Sequence, residues 1–213
     1  MMPHLKCIDW RCDNVAGEDS NSPRMRFKVA LPHLETLVTL RSKTSHWLTG
    51  VVSKWDLPSL SNIVVGRLAL EAQSGLSTIW DSFGDTLRIV ELGISPKGCS
   101  AIDNITDVLS KCPNLTELCM GILYLLSQSI NVGHLSSSLT TIRLSRGQYH
   151  ETREKGKSSK NTFRVLDPPY SLQKIVLHGN WTFITNDDRF SKFQRLLRDG
   201  LGVTSVLRTL EEY

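Results

Sequence analysis

The sequence predicts an α/β repeat fold: a right-handed solenoid bent into a horseshoe arc, with about seven parallel strands on the concave face and helices on the convex face. Three observations predict it. The spacing L-x-x-L-x-φ, with φ apolar in every copy but the second, occurs at Leu5/Ile8/Trp10, Leu34/Leu37/Thr39, Leu60/Ile63/Val65, Leu87/Val90/Leu92, Leu115/Leu118/Met120, Leu139/Ile142/Leu144 and Leu172/Ile175/Leu177. These copies start at residues 5, 34, 60, 87, 115, 139 and 172, at steps of 24 to 33 residues, so the chain is a repeat array. Within each copy apolar and polar residues alternate, the period of a short strand with one buried face, whereas between copies the spacing turns helical. Strand-then-helix units joined by crossovers of constant hand give parallel strands on one side of a stack and helices on the other.

The connections bear this out in order. Trp47, Leu48, Val51, Val52 and Trp55 form one stripe in a helix predicted over 42–56. Leu76, Ile79, Trp80 and Phe83 form the next, and Ile102, Ile105, Val108, Leu109 and Cys112 the cleanest, with Asp103 and Asp107 outside it. After Met120, Leu125, Leu126, Ile130 and Leu135 are interrupted by Gly133 and serines, which predicts a short or broken helix. The three tryptophans Trp47, Trp55 and Trp80 are therefore expected in the core.

Turn chemistry fits the same register. Pro32, Pro58 and Pro113 stand two residues before the first leucine of their copies, where the chain must leave a helix and extend. Pro168-Pro169 precedes the seventh copy and Gly84-Asp85 the fourth. Gly66, Gly93 and Gly121 each follow the third apolar position, which reads as a tight exit from the strand.

Two segments break the pattern. Residues 13–28 are polar with Gly, Pro and Ser, an irregular first connection. Residues 146–164 hold six Lys/Arg against two Glu and account for the longest step; they read as a basic, flexible insert. The C-terminal stretch 186–213 reads as a helical cap: Asn186-Asp187-Asp188 begins a helix carrying Phe190, Phe193, Leu196 and Leu197, and Val203, Val206, Leu207 and Leu210 form a second helical stripe. Nothing comparable precedes Leu5, so the first strand is expected to present a sheet edge that a preceding segment or a partner covers.

The whole chain, 1–213, reads as a single repeat domain, because 213 residues leave no room for a second one beside seven units. Apolar content of 40% with 22% charged residues is that of an ordinary globular chain, and no apolar run approaches the roughly 18 residues of a membrane span. With no apolar leader at the start, the expected location is cytoplasmic or nuclear. A net charge of +4, much of it in 146–164, argues for neither a nucleic-acid nor a membrane partner. Five cysteines without a C-x-x-C pair suit reduced thiols rather than a disulfide frame or zinc site.

With these residues in place, the chain resembles the leucine-rich repeat family, specifically the irregular long-repeat kind found in the substrate-binding halves of fungal F-box proteins. The matching stretches are Leu34-Glu35-Thr36-Leu37, Leu87 to Leu92 after Gly84-Asp85, Cys112-Pro113-Asn114-Leu115-Thr116-Glu117-Leu118, and Ser138-Leu139-Thr140-Thr141-Ile142-Arg143-Leu144. The resemblance implies a target-recognition module of an F-box-type ubiquitin-ligase receptor. Its partners would be a ubiquitylation target and, where an F-box precedes this region, the Skp adaptor. The family's asparagine, three residues past the third apolar position, appears only as Asn180. The alternative is a leucine-rich repeat inhibitor or regulator of an enzyme, unconnected with ubiquitin.

No catalytic, cofactor or metal constellation is read from the sequence. The six histidines are scattered without a Ser, Cys or carboxylate at a recurring spacing, and Glu154 to Ser158 lacks the glycine and feeding strand of a phosphate loop. Cys112 and Cys119 read as structural thiols. The expected partner-binding residues are instead those alternating with the core positions on the concave face, Val38, Val64, Glu91, Glu117, Cys119, Arg143, Lys174 and Val176, with His178 and Trp181 at the strand exit. Asp9, Thr36, Asn62, Ile89 and Thr141 stand beside them. Val38, Val64, Ile89 and Val176 tilt the expectation toward a protein partner, since apolar residues on a wet face mark an interface. Glu91 and Glu117 are expected to be free for a partner, so that reversing both to Lys would spare folding.

Because no unit buries its stripe alone, Leu115→Ala or Leu118→Ala should cost about 2–5 kcal/mol. Chemical denaturation measures this, and an unaltered midpoint would count against the repeat register.

Overall fold

The computed structural model describes residues 4–11, 29–40, 52–66, 76–93, 101–121, 138–145, 171–178, 191, 194, 195, 198, 199 and 204–208. Their backbone forms one open sheet of eight parallel strands in sequential order. The strands are β1 (Cys7–Arg11), β2 (Thr36–Leu40), β3 (Asn62–Val65), β4 (Ile89–Leu92), β5 (Glu117–Gly121), β6 (Thr141–Ser145), β7 (Lys174–His178) and β8 (Thr204–Arg208). Two helices lie among the connections, α1 (Leu76–Phe83) and α2 (Ala101–Lys111).

The pairing follows the repeat copy for copy. Ile8, Leu37, Ile63, Val90, Leu118, Ile142 and Ile175 form one row across the sheet, and Trp10, Thr39, Val65, Leu92, Met120, Leu144 and Leu177 the next. From β2 to β7 these residues are buried. They share a single core with Leu76, Ile79, Trp80 and Phe83 of α1 and with Ile105, Val108 and Leu109 of α2. Both helices therefore cover the same face of the sheet, and α1 packs directly on α2.

The four residues predicted as the stripe of α1 are its four buried residues. Trp80 is fully enclosed, Trp55 packs half-buried against the core, and Trp47 lies outside the described residues. Of the helix predicted over 42–56, Val52 is helical and buried, but Ser53 to Asp56 form a turn that ends in a parallel bridge from Asp56 to Ala30, so the helix stops short of the predicted end; residues 42–51, the broken helix after Met120 and the basic insert 146–164 lie outside the described residues.

Three strands, β2, β3 and β5, begin at the same kind of turn. The amide of the first leucine donates to the carbonyl three residues back, Leu34 to Leu31 at 3.1 Å, Leu60 to Leu57 at 3.1 Å and Leu115 to Cys112 at 3.1 Å. Pro32, Pro58 and Pro113 fall at the second position of these turns, where their fixed φ favours the bend. The residue before each proline turns inward: Leu57 and Cys112 are buried and Leu31 is half-buried. Just past the turn, one carbonyl accepts two successive amides from the next unit. Lys6 O receives Glu35 and Thr36, Glu35 O receives Ser61 and Asn62, and Ser61 O receives Arg88 and Ile89. Arg88, Thr116 and Thr140 repeat this in turn.

Small polar side chains reinforce that line, a feature not expected from the sequence. The residue before the first leucine reaches the turn of the preceding unit: Ser59 Oγ donates to Pro32 O at 2.6 Å, Asn114 Nδ2 to Asp85 O at 2.8 Å, Ser138 Oγ to Pro113 O at 2.5 Å and Ser171 Oγ to Leu139 O at 2.9 Å. The residue after it does likewise, Thr116 Oγ1 to Arg88 O at 3.1 Å and Thr140 Oγ1 to Thr116 O at 3.2 Å. The polar ladder of this chain thus runs along the strand entries.

At the exits, glycine answers to its neighbour. Gly66 N donates to Thr39 O and Gly93 N to Val65 O, both at 2.6 Å. A Cβ on Gly93 would stand 2.7 Å from the carbonyl carbon of Gly66 and 2.9 Å from its Cα, so the close approach of adjacent units requires the glycine. Gly84 is held the same way, because its Cβ would meet the Lys111 carbonyl at the end of α2. Beside it Lys111 Nζ ties the two helices, 2.7 Å from Asp81 Oδ1 and 3.1 Å from Asp107 Oδ1, and bonds to Ser77. Asp81 above all, with Asp107, holds the ammonium above its ordinary pKa of 10.5 against the lowering effect of desolvation.

The C-terminal expectation needs correcting. Residues 191, 194, 195, 198 and 199 are helical, at the spacing of one helix face, and Ser191, Arg195, Arg198 and Asp199 are exposed, as the polar face of the predicted helix requires. The second predicted helix, built on Val203, Val206, Leu207 and Leu210, is instead the strand β8, and the sheet has eight strands rather than seven. Leu207 pairs with Leu177 and Ser205 with Ile175, so β8 carries a serine where the other units have an apolar residue. The open hydrogen-bonding edge of β7 decides the conformation, and Thr204 and Val206 are β-branched residues suited to it.

Substituting Gly93→Ala should push two units apart and cost about 1–3 kcal/mol. Urea denaturation should show a lower midpoint at an unchanged slope, and wild-type stability would show that the two glycines are not in contact.

Candidate functional site

The face opposite the core is where the expected site residues fall. Register places Asp9, Val38, Val64, Glu91, Cys119, Arg143 and Val176 in one row across β1 to β7. A second row runs through Cys7, Thr36, Asn62, Ile89, Glu117, Thr141 and Lys174. No described helix or strand covers this face. Asp9, Cys7 and Glu91 are exposed; Val38, Val64, Ile89, Glu117, Cys119, Arg143, Lys174 and His178 are half-buried. Trp181 lies outside the described residues.

The face divides into three parts. On β2 to β4, Val38 and Val64 are register neighbours, Glu91 continues their row, and Ile89 stands two residues before Glu91 on the same strand. Below the valines, Asn62 Nδ2 donates to Thr36 Oγ1 at 3.2 Å, which spends the polar groups there on each other. The result is an apolar patch with one carboxylate at its border.

The middle is closed by an ion pair. Arg143 Nη2 donates to Glu117 Oε2 at 3.1 Å and Arg143 Nε lies 2.5 Å from Oε1, so the guanidinium meets both carboxylate oxygens. The Glu117 side chain is only 17% exposed. Cys119 donates from Sγ to the same Oε1 at 3.5 Å. Glu117 is therefore a structural group and not the free side chain the sequence suggested. The reason is the pairing of β5 with β6, which places Arg143 beside Cys119 and within reach of Glu117.

The third part, on β6 and β7, carries Lys174, Val176 and His178. Val176 corrects another expectation, being buried at 3% exposure rather than presented to a partner. It sits in register between Arg143 and Val206, inside the sheet.

The thiols are held in their protonated form. Burial first, then the carboxylates of Glu117 and Glu91, push Cys119 up to about 12 from 9.0. Burial, then Asp107 and Asp85, do the same for Cys112. Between pH 9 and about 12 the folded chain keeps protons that the unfolded chain releases, so stability falls as pH rises through that interval. At neutral pH both thiols are therefore protonated, the less nucleophilic form. Among the described residues no three His, Cys, Asp or Glu side chains gather at a metal-binding distance, and no helix is long and apolar enough to cross a membrane.

Glu91 and Glu117 should respond differently to charge reversal. Glu117→Lys sets a second cation against Arg143 and should cost about 1–3 kcal/mol, whereas Glu91→Lys should leave stability within about 0.5 kcal/mol. Thermal denaturation of the two variants separates them, and equal losses would contradict the register of this face. Compared with known proteins, the chain matches no family model, no curated protein and no solved structure.

Proposed function

We propose that this chain is a non-catalytic protein-interaction module that binds a partner protein on its uncovered strand face. The observation that carries the reading is the asymmetry of the sheet: one face is buried under α1 and α2, and the other holds the half-buried Val38, Val64 and Ile89 with no described element over them. Soluble chains rarely leave neighbouring apolar side chains uncovered without use. The protonated thiols of Cys112 and Cys119 also favour binding over chemistry on the described part of that face.

The finer reading is a right-handed leucine-rich repeat solenoid with this face on the inside of the arc, in the cytoplasm or nucleus. The sequential parallel order of eight strands supports it, as a stack of units each touching only its neighbours requires. The link to an F-box-type ubiquitin-ligase receptor rests on the resemblance carried by Cys112-Pro113-Asn114-Leu115 and its companions.

Two measurements test these levels separately. Val64→Asp should abolish co-purification of the partner while shifting the melting temperature by only a few degrees; retained binding would remove the face from the reading. The full-length gene product should recover the Skp adaptor from cells. Recovery of a stable partner without that adaptor would overturn the ligase assignment and favour a regulator of another enzyme.

A further inference from the structure

The charges on the face that no described helix or strand covers are arranged in a way that specifies a ligand. Glu91 on β4 is exposed and makes no ion pair with the described residues. Lys174 on β7 is half-buried on the same face and likewise has no carboxylate partner among them. Between them Glu117 and Arg143 neutralise each other. The closed pair thus separates one unanswered anion from one unanswered cation. Three strand spacings of about 4.8 Å and a two-residue offset along the strand put their backbones roughly 15 Å apart. The apolar patch of Val38, Val64 and Ile89 lies on the Glu91 side.

The geometry points to a partner segment of bipolar chemistry that lies extended across the strands. It sets an Arg or Lys on Glu91 and, four or five residues away, an Asp or Glu on Lys174. One or two apolar residues beyond its cation rest on Val38, Val64 and Ile89. Four or five residues at about 3.3 Å each span the required distance. Glu117 and Arg143 contribute no net charge to this contact, so the discrimination comes from the two ends. The inference deepens the partner-binding reading above and rests on it.

A random dodecapeptide library panned against the chain tests it. The enriched sequences should carry a cation and an anion four or five positions apart, with apolar residues on the far side of the cation. A synthetic peptide of that consensus, followed by fluorescence anisotropy, should bind at least tenfold more tightly than the same peptide with its two charges exchanged. In the double variant Glu91→Lys/Lys174→Glu the preference should invert, an outcome that unfolding cannot imitate. Enriched peptides without the charge spacing, an unchanged preference in the double variant, or no enrichment would each overturn the inference. So would concentration-dependent self-association of the chain lost in Glu91→Lys, since the face would then be meeting a second copy. If the library fails while Val64→Asp still abolishes capture of a folded partner, the interaction reading stands and the bipolar segment does not.

Discussion

The carbonyl that opens each strand accepts two amides from the unit that follows, and the rest of the sheet is laid out from that point. Lys6, Glu35, Ser61, Arg88, Thr116 and Thr140 supply it in succession. A parallel strand cannot satisfy its own backbone, and a turn backed by a helix leaves few donors free for water. Anchoring two amides to one oxygen fixes where the next strand starts relative to the last. Once that start is fixed, the leucine, the second apolar residue and the third fall into rows, and the opposite rows follow by alternation. Prolines and the Ser, Thr and Asn side chains flanking the first leucine all act at this same place.

The two faces then divide the chemistry. From β2 to β7 the core rows are apolar except for the buried Thr39, and β8 adds Ser205. The opposite rows carry every kind of residue, and their local meaning depends on which side chains meet across neighbouring strands. Glu117 and Arg143 show this: neither has a fixed role from its own unit, and the pair exists only because β5 lies beside β6. An ion pair with one partner mostly enclosed needs both members, since removing one leaves a poorly solvated charge. Glu91 has Val64 and Cys119 as its register neighbours, and no such obligation.

Much of this fold could be read from the chain because its signals are local and repeated. The seven strands sit where the apolar spacing puts them; α1 buries Leu76, Ile79, Trp80 and Phe83, and α2 buries Ile105, Val108 and Leu109, as periodicity assigns them. Legibility ends where a unit loses its leucines. β8 has Ser205 in the second position and, by the same offset, Gly202 in the first, so only the edge of β7 reveals it as a strand. The site was legible as a row of positions but not as a set of free groups. Glu117 is engaged because of Arg143, a residue of another strand, and Val176 is enclosed although alternation assigns it to the open face. The polar residues around the first leucine did carry a signal, Ser59-Leu60-Ser61, Asn114-Leu115-Thr116 and Ser138-Leu139-Thr140. It passes for ordinary turn composition until their neighbours are known.

Fixing each strand at its entry has a consequence for how such a chain can change. The connection after a strand may lengthen or shorten without moving the next strand, because the anchor lies at the turn and not in the connection. Successive copies in fact start 24 to 33 residues apart while the rows stay in register. Insertions are therefore absorbed in the connections, and residues on the face opposite the core can be exchanged one at a time. Length variation and surface variation are uncoupled, which lets one backbone plan carry new surfaces by small steps.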